Sequence, residues 1–260
     1  MKLAVLGSGS RGNALALEAD GATLIVDAGF GPRTLQRRAR AVGMTLEPLA
    51  GVVLTHEHGD HARGAVALAR RAATPLLATP GTLARLGSAD DIVRVPLVPH
   101  APRVVPPFTV SACHIVHDAA EPVAVVIEVA DGTRVGIAYD VGRPTGALRH
   151  LLRECTVLVL EANHDDVLLR TGPYPAAVRQ RIAGSSGHLS NRVTAELAAA
   201  LWHPGLATVV LVHVSELCNT AELARRTVAP ALRRRGFQGE LVVARQGEPL
   251  LVPFGQAAML

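Results

Sequence analysis

The chain has 260 residues, of which 49% are hydrophobic, enough to bury a large core. Charged residues make up only 18%, which excludes a disordered, charge-rich chain, and the net charge of +4 gives only weak support to anionic partners. No apolar run reaches the roughly 18–20 residues that a membrane span needs, and the amino-terminal apolar stretch is too short for a signal peptide. We therefore expect a cytoplasmic protein that does not contact membranes and whose three cysteines are reduced.

Short β-branched runs alternate with Ala-, Leu- and Arg-rich stretches along the whole chain. These runs predict strands over 1–7, 15–18, 23–27, 51–55, 76–78, 92–95, 108–114, 123–128, 134–140, 156–161, 208–213, 241–243 and 249–252. The stretches between them predict helices over 32–42, 63–71, 145–153, 192–201 and 220–235. No repeat or linker divides the chain, so we predict a single domain over 1–260. Two strand clusters, each with helices, predict two sheets packed face to face with helices outside.

The densest group of metal-binding side chains follows the predicted strand over 51–55. The segment Thr55-His56-Glu57-His58-Gly59-Asp60-His61 places three histidines and one aspartate within six residues. Gly59 gives the segment freedom to bend, so that all four side chains can turn inward. Imidazole and carboxylate together suit zinc, manganese or iron. A solvated histidine-rich loop is the alternative, but the position directly after a buried strand argues against it.

One loop cannot complete two metal sites, so further ligands should lie at the ends of other strands. Five polar side chains are candidates, namely Asp27, His117, Asp140, His188 and His213. Each has a structural explanation of its own, because a strand-terminal aspartate often caps a turn and a single histidine is often a core residue. Their shared position at the ends of apolar segments favours a common site, since open sheets collect ligands at strand ends.

These residues together carry a resemblance to a known family. The motif His56-x-His58-x-Asp60-His61, with the five candidates around it, resembles the metallo-β-lactamase superfamily. Further segments resemble its YycJ/WalJ-like branch, near ribonuclease Z and the phosphonate-pathway phosphodiesterases, and they cover 7–13, 117–123, 161–165, 172–175, 181–182, 187–191 and 213–216. The resemblance implies an α+β fold, the αββα sandwich of two mixed β-sheets with helices on the outer faces. The chain departs from the family pattern at Tyr139, where a threonine usually stands.

The resemblance also implies two bound divalent cations, zinc or manganese. One would be held by His56, His58 and His117. The second would be held by Asp60, His61 and His213, and Asp140 would bridge the two. Asp27 would orient a ligand or its loop from behind. His164 would do the same or serve as a secondary ligand.

Cations about 3.5–4 Å apart would lower the pKa of a shared water, and the resulting hydroxide would attack phosphorus. The resemblance thus implies a dinuclear phosphodiesterase or nuclease acting on a phosphodiester such as DNA, including a DNA exonuclease. Asp60 and His188 are the expected catalytic residues, with His188 protonating the leaving oxygen. Arg143, Arg181 and Asn191 are the expected substrate contacts, although Asn191 could instead hold a loop or cap a helix.

Two other functions stay open at this point. A thioester, lactone or lactam hydrolase would use the same ligands, because the metal site alone does not separate acyl transfer from phosphoryl transfer. A metal-binding partner protein without activity would keep the fold, but the complete ligand set argues against it. The sequence leaves a homo-oligomer open.

Overall fold

The structure is a computed structural model that describes residues 1–254, in which fourteen strands and nine helices are formed. The strands are β1 (Lys2–Gly7), β2 (Ala14–Ala19), β3 (Ala22–Val26), β4 (Leu49–Val53), β5 (Leu76–Ala78), β6 (Arg94–Pro96), β7 (Arg103–Val105), β8 (Phe108–His114), β9 (Val123–Glu128), β10 (Arg134–Ala138), β11 (Val157–Glu161), β12 (Thr208–Val212), β13 (Glu240–Val243) and β14 (Leu250–Leu251). The helices are α1 (Pro32–Ala41), α2 (Gly59–Ala62), α3 (Ala65–Ala72), α4 (Pro80–Arg85), α5 (Gly146–Leu151), α6 (Asp166–Thr171), α7 (Ala176–Ala183), α8 (Asn191–Leu201) and α9 (Ala221–Arg234).

The strands form two mixed sheets of seven strands each, with orders β14-β1-β2-β3-β4-β5-β6 and β13-β12-β11-β10-β9-β8-β7. In the first sheet β3 to β6 pair in parallel, and in the second β10 to β13 do so; the other pairs are antiparallel. Parallel neighbours bring their carboxyl ends to the same edge of a sheet. The residues that follow β3 and β4, and those that follow β10, β11 and β12, are therefore brought together in each sheet.

The alternation of side chains along the strands separates three apolar layers. On β9, Val123, Val125 and Ile127 point into the core between the two sheets, whereas Ala124 and Val126 point to the outer face. Apolar residues of α1 and α3 cover the outer face of the first sheet, and those of α5, α8 and α9 cover that of the second. This arrangement is the αββα sandwich that the sequence predicted.

The helices that cover the sheets are too short and too polar on one side to serve as membrane spans. The longest helix within residues 1–254 is α9, with 14 residues. No helix in this described range has the length and apolar character needed to cross a bilayer.

The structure differs from the sequence prediction mainly near the loops. The strand predicted over 51–55 is β4, which begins and ends two residues earlier, because the Thr55 N–H donates to the Asp27 side chain at 2.8 Å instead of to a neighbouring strand. Helices α6 and α7 were not predicted. α7 contains no buried residue and so lacks the apolar stripe that reveals a helix by its 3.6-residue period. The strand β7 and the helix α4 were also missed.

The inter-sheet core should depend strongly on Phe108, which is fully buried between the sheets. We expect Phe108→Ala to lower the free energy of unfolding by about 3–5 kcal/mol, because it removes a ring and leaves a cavity. Urea unfolding followed by circular dichroism measures this. The control is Val104→Ala on β7. Val104 is 71% exposed, so this change should alter the free energy of unfolding by less than about 0.5 kcal/mol. Equal effects of the two changes would contradict the placement of Phe108.

Candidate metal centre

The histidine-rich segment leaves β4 and ends in the one-turn helix α2. His56 lies in the connecting loop, and the backbone N–H groups of His61 and Ala62 donate to the His58 carbonyl at 2.9 and 2.8 Å. Asp60 and His61 are thus helical, although the sequence indicated a loop throughout. A Cβ at Gly29 would lie 1.9 Å from the Asp60 carbonyl oxygen, so glycine is what allows this helix to pack on the turn that follows β3.

The seven predicted metal ligands come together at one edge of the sandwich. His56, His58 and His117 form one triad, whose ligand atoms all lie within 4.8 Å of one another. Asp60, His61 and His213 form a second triad by the same measure. These groups coincide with the two sets that the resemblance implied, and their role as metal ligands stays a prediction. The same measure also groups Asp140 with Glu161, His188 and His213, and Asp140 with His56 and His61. Each triad takes two residues from the segment after β4 in the first sheet and one residue from a loop of the second sheet.

Asp140 lies between the two triads. Its Oδ2 atom is 2.8 Å from His61 Nε2, and the carboxylate also lies within 4.8 Å of a ligand nitrogen of His56. On its other side, Asp140 Oδ1 is 3.2 Å from His188 Nδ1 and 3.6 Å from His213 Nδ1. Both oxygens of Asp140 thus lie near members of the second triad, and the carboxylate is also within reach of His56 in the first. The bridging role that the resemblance implied stays a prediction.

Three of the site residues have a left-handed backbone. They are Asp27, directly after β3 (φ 59°), Asp140, two residues after β10 (φ 54°), and His213, directly after β12 (φ 55°). Non-glycine residues rarely adopt this conformation, which costs of order 1–3 kcal/mol and persists where the surroundings enforce it. The turn sends each side chain back across the strand end and into the centre.

The Asp27 carboxylate holds the second triad from behind. It is fully buried and its Oδ2 accepts from His61 Nδ1, Thr55 Oγ1 and Tyr139 Oη, each at 2.7 Å. Because the His61 Nδ1 proton is committed to Asp27, the lone pair of the ring lies on Nε2, which faces Asp60 and Asp140. Tyr139, at the position where the family usually has threonine, supplies one of these hydrogen bonds.

The Glu161 carboxylate performs the same task in the second sheet. It is fully buried at the end of β11 and accepts from the backbone N–H of Val141 at 3.0 Å and of Leu189 at 3.1 Å. Its Oε1 lies 2.7 Å from His188 Nδ1 and 3.1 Å from His213 Nδ1. One carboxylate therefore orients both a proposed ligand and the histidine beside it.

The first triad is oriented by neutral groups. His117 Nδ1 lies 3.3 Å from the Gly187 carbonyl oxygen, and His56 Nδ1 lies 3.1 Å from Thr55 Oγ1. The carbonyl can only accept, and Thr55 already donates its proton to Asp27, so both histidines carry their proton on Nδ1. The His56 Nε2 atom has no partner among residues 1–254, whereas His117 Nε2 lies 3.2 Å from Asp118 Oδ1.

Two buried ring nitrogens of the centre lack a hydrogen-bond partner within residues 1–254, namely His56 Nε2 and His213 Nε2. A buried polar atom without a partner costs about 1–3 kcal/mol, so such atoms call for an explanation. One of the two belongs to each triad. The residues present therefore fit divalent cations, and nitrogen with oxygen ligands suits zinc or manganese.

The charges of the centre are consistent with cation binding. Burial alone would lower the pKa of His61, but the Asp140 and Asp27 carboxylates raise it well above its usual value. In the same way Asp140 and Asp60 outweigh burial and raise the pKa of His213 to about 9. Burial lowers the pKa of His56 well below its usual value. The carboxylates around His61 and His213 thus favour a positive charge at both rings, and a bound cation would take the place of their ring protons.

His188 stands beside the second triad with its ring 5.2 Å from that of His213, between centroids. Burial would lower its pKa, but Glu161 and Asp140 raise the pKa to about 11. The same histidine holds the pKa of Glu161 at about 2 against the effect of burial. His188 also lines a cavity of about 240 Å³ that the triads open into. It is therefore a protonated group that faces the space where a substrate would lie.

The remaining predicted residues are more scattered. Arg181 lines the same cavity and is 3.7 Å from Asp118, whereas Arg143 is exposed and lines none of the cavities described for residues 1–254. Asn191 is buried, and its amide exchanges two hydrogen bonds with that of Asn219, at 2.9 and 2.8 Å, which favours the loop-holding role. His164 is buried, but it is not a member of any of the ligand clusters in the described chain.

Sequence reasoning assigned no role to two residues of the centre. Glu161 ends an apolar strand just as Asp27 and Asp140 do, and this shared position was a signal that could have identified it. Asn13 had no such signal. Its Oδ1 accepts from the Gly9 N–H at 2.8 Å, and its Nδ2 lies 2.9 Å from His61 Nε2 and 3.3 Å from Asp60 Oδ2.

Comparison with known families finds one match that covers most of the chain. The family model described as a beta-lactamase superfamily domain matches residues 22–214. Among curated proteins, the chain is 28% identical over 241 residues to the exodeoxyribonuclease YycJ of Bacillus anthracis, covering 91% of each chain. It is 29% identical over 237 residues to the exodeoxyribonuclease WalJ of Streptococcus pneumoniae, covering 89% of this chain and 88% of the relative.

Solved structures share the fold at lower identity. The metallo-beta-lactamase fold protein YhfI of Bacillus subtilis superposes with a TM-score of 0.72 at 17% identity, covering 96% of this chain and 98% of its own. Zinc-bound PqqB of Methylobacterium extorquens superposes with a TM-score of 0.70 at 20% identity, covering 96% of this chain and 99% of its own. The short form of human tRNase Z superposes with a TM-score of 0.66 at 18% identity, covering 97% of this chain and 100% of its own. At these identities the likeness concerns the fold alone.

The Asp27 carboxylate should matter for metal affinity although it is not a ligand itself. We expect Asp27→Asn to weaken zinc binding about 10- to 100-fold, because an amide is a weaker acceptor for the His61 proton and no longer balances the charge. Competition with a chromophoric chelator measures the affinity. Asp20→Asn is a matched control, since Asp20 is exposed in the β2–β3 turn and also has a left-handed backbone, with φ 47°. An unchanged zinc affinity in Asp27→Asn would refute the orienting role.

Proposed function

Since the chain belongs to the metallo-β-lactamase superfamily, we propose that it is a dinuclear phosphodiesterase that cleaves DNA with zinc or manganese. The observation that carries the proposal is the pair of ligand triads on either side of Asp140. Two separate sets of three ligands, with a carboxylate in reach of both, provide two adjacent places for a divalent cation. The four-residue group of Asp140, Glu161, His188 and His213 could serve a single ion by itself, but a single ion there would leave the first triad without a role.

The nature of the substrate is inferred from relatives and from the cavity. Both curated relatives that cover about nine tenths of the chain carry the name exodeoxyribonuclease. The cavity at the triads contains the cationic groups Arg181 and His188 in addition to the ligands, which suits an anionic phosphodiester. DNA is therefore the substrate we propose, and removal of nucleotides from an end is the mode of action.

The cations, when bound, would lower the pKa of a water between them and neutralise charge on the phosphoryl oxygens. The protein contributes the positions of these groups. Asp27 and Glu161 fix the histidine rings, so that no ligand has to reorient during the reaction. Asp60, on the exposed side of the second triad, is held ionised because hydrogen bonds from His213 and His61 keep its pKa well below the usual range despite burial. An ionised Asp60 would hold a cation and could accept a hydrogen bond that orients the attacking water.

His188 is the group that would protonate the leaving oxygen. Its Nδ1 proton is donated to Glu161, so Nε2–H is the group left for the substrate. Although burial lowers it, the Glu161 and Asp140 carboxylates raise the pKa of His188 to about 11, so the ring is held in the protonated form that a proton donor needs.

The cation requirement gives the first test of this function. We expect close to two zinc or manganese ions per chain by mass spectrometry, and we expect cleavage of a single-stranded oligodeoxynucleotide that a chelator abolishes. His58→Ala should remove one triad and lower the rate by at least about 100-fold, the size of effect seen when a group that stabilises transition-state charge is lost. His150→Ala, on the exposed face of α5, should leave the number of bound cations and the cleavage rate unchanged.

A thioester, lactone or lactam substrate is the outcome that would replace the proposal. The decisive result is a protein with both cations that leaves oligodeoxynucleotides and simple phosphodiesters intact but hydrolyses a thioester. One cation per chain at saturation would instead contradict the dinuclear part of the proposal.

The loss of rate on removing His188 should be greater for a more basic leaving group, which needs a proton in order to leave. We expect His188→Ala to slow cleavage of an oligodeoxynucleotide by about 10²- to 10⁴-fold, the usual contribution of a general acid. Hydrolysis of bis(p-nitrophenyl) phosphate should fall by less than about 10-fold, because p-nitrophenolate leaves without a proton. Metal content measured on the same samples controls for loss of cations. Equal losses on the two substrates would show that His188 is not the proton donor.

A further inference from the structure

A second cavity of about 260 Å³ opens beside the metal centre, and the proposed reaction makes no use of most of it. It shares five residues with the first cavity, and these are Ser10, Arg181, Ile182, His188 and His213. A group bonded to a phosphate at the triads would thus reach it directly. We propose that this cavity binds the base of the nucleotide attached to the scissile phosphate, an inference that rests on the proposed function.

The walls of the cavity suit a flat aromatic ring. Tyr174 lines it from one side, together with Val178 and Ile182, which lie one turn apart on α7 and hence on the same face. Val214 and Leu217 line it from the loop that follows β12. α7 has no buried residue, so the apolar face formed by Val178 and Ile182 is directed at this cavity instead of at the core. A base–aromatic stack is tolerant of sequence, as a general exonuclease requires.

The backbone at Tyr174 is restricted before any ligand arrives. Tyr174 stands between Pro173 and Pro175, and each proline fixes its own φ and keeps the residue before it extended. Arg179 on α7 donates to the Gly172 carbonyl at 3.4 Å, at the start of the same segment. The Tyr174 hydroxyl takes part in no hydrogen bond within the described part of the chain. The backbone that carries the ring therefore loses little conformational entropy when a base stacks on it.

The polar groups of the cavity are mostly uncharged and carry unused hydrogen-bonding capacity. Asn163 donates to the His213 carbonyl at 3.1 Å, and its Oδ1 accepts no hydrogen bond from residues 1–254. The Gln246 side chain lines the same cavity, and its Nε2 is buried without a partner among the described residues. The carboxylate of Glu216 is engaged by Arg11 at 2.8 Å. Amides with a free donor and a free acceptor match the edge of a base, which presents both.

Charge separates the two cavities into distinct subsites. The metal triads and His188 would serve an anion, whereas the residues that line only the second cavity include Tyr174 and the side-chain amides of Asn163 and Gln246. Arg181 stands where the two cavities meet, and its side chain is 72% exposed. This division corresponds to that within a nucleotide, with a phosphate at one end and a neutral, aromatic base at the other.

Equilibrium binding tests the base subsite without any need for turnover. The metal-loaded protein is titrated with thymidine 5′-monophosphate and with 2-deoxyribose 5-phosphate, which lacks the base. We expect the wild type and Tyr174→Phe to prefer the nucleotide by about 5- to 150-fold, the effect of stacking one base. Tyr174→Ala should lose most of this preference. Val104→Ala, on the exposed edge strand β7, should keep it.

A kinetic test of the base subsite compares cleavage of an oligodeoxynucleotide with cleavage of its analogue that has an abasic terminal residue. The ratio of the two values of kcat/KM should be well above one in the wild type and should approach one in Tyr174→Ala. A wild type without preference in the binding experiment, or a Tyr174→Ala protein that keeps the preference, would overturn the base subsite. Failure to cleave either oligonucleotide would instead overturn the proposed function, and the binding preference would still decide the subsite independently.

Discussion

A carboxylate that is shielded from water has to be surrounded by donors, and the metal centre is built around that requirement at Asp27. Its two oxygens accept from the Thr55 backbone and hydroxyl, from the Tyr139 hydroxyl and from the His61 ring. Through these bonds one buried charge joins the end of β3, the loop after β4 and the end of β10. The position of His61, and with it that of the second triad, therefore depends on a residue that would touch no cation. Glu161 extends the same principle to His213 and His188 in the other sheet.

Local signals in the sequence predicted two packed sheets and a group of polar side chains at strand ends. The family resemblance then supplied the assignment of seven side chains as ligands, which stays a prediction. Runs of β-branched residues reveal strands, and polar side chains at their ends are conspicuous in an apolar context. Partners that depend on tertiary contact leave no such signal. Asn13 lies in an irregular turn, and it approaches His61 only because the loop between β1 and β2 meets the segment that follows β4. Tyr139 could be read as a departure from a family pattern, but its bond to Asp27 spans 112 positions of the chain.

The missed helix α7 illustrates a more general limit of periodicity. A helix is recognised by the stripe of apolar residues that it buries, and α7 buries none. Its apolar face borders a cavity, where a ligand instead of a core would cover it. Regions that serve a substrate are thus the ones least visible to a method that detects burial, which is why the surroundings of Tyr174 emerge only from the three-dimensional arrangement.

Each triad draws its ligands from both sheets, with two from the loop after β4 and one from beyond β8 or β12. Cations held in this way would tether the two halves of the sandwich at one edge. By mass action, a cation at a hundred times its dissociation constant stabilises the folded state by about 2.7 kcal/mol if it does not bind the unfolded chain. Metal supply would then set not only the rate of catalysis but also the lifetime of the protein, and scarcity would remove the enzyme by unfolding as well as by inactivation.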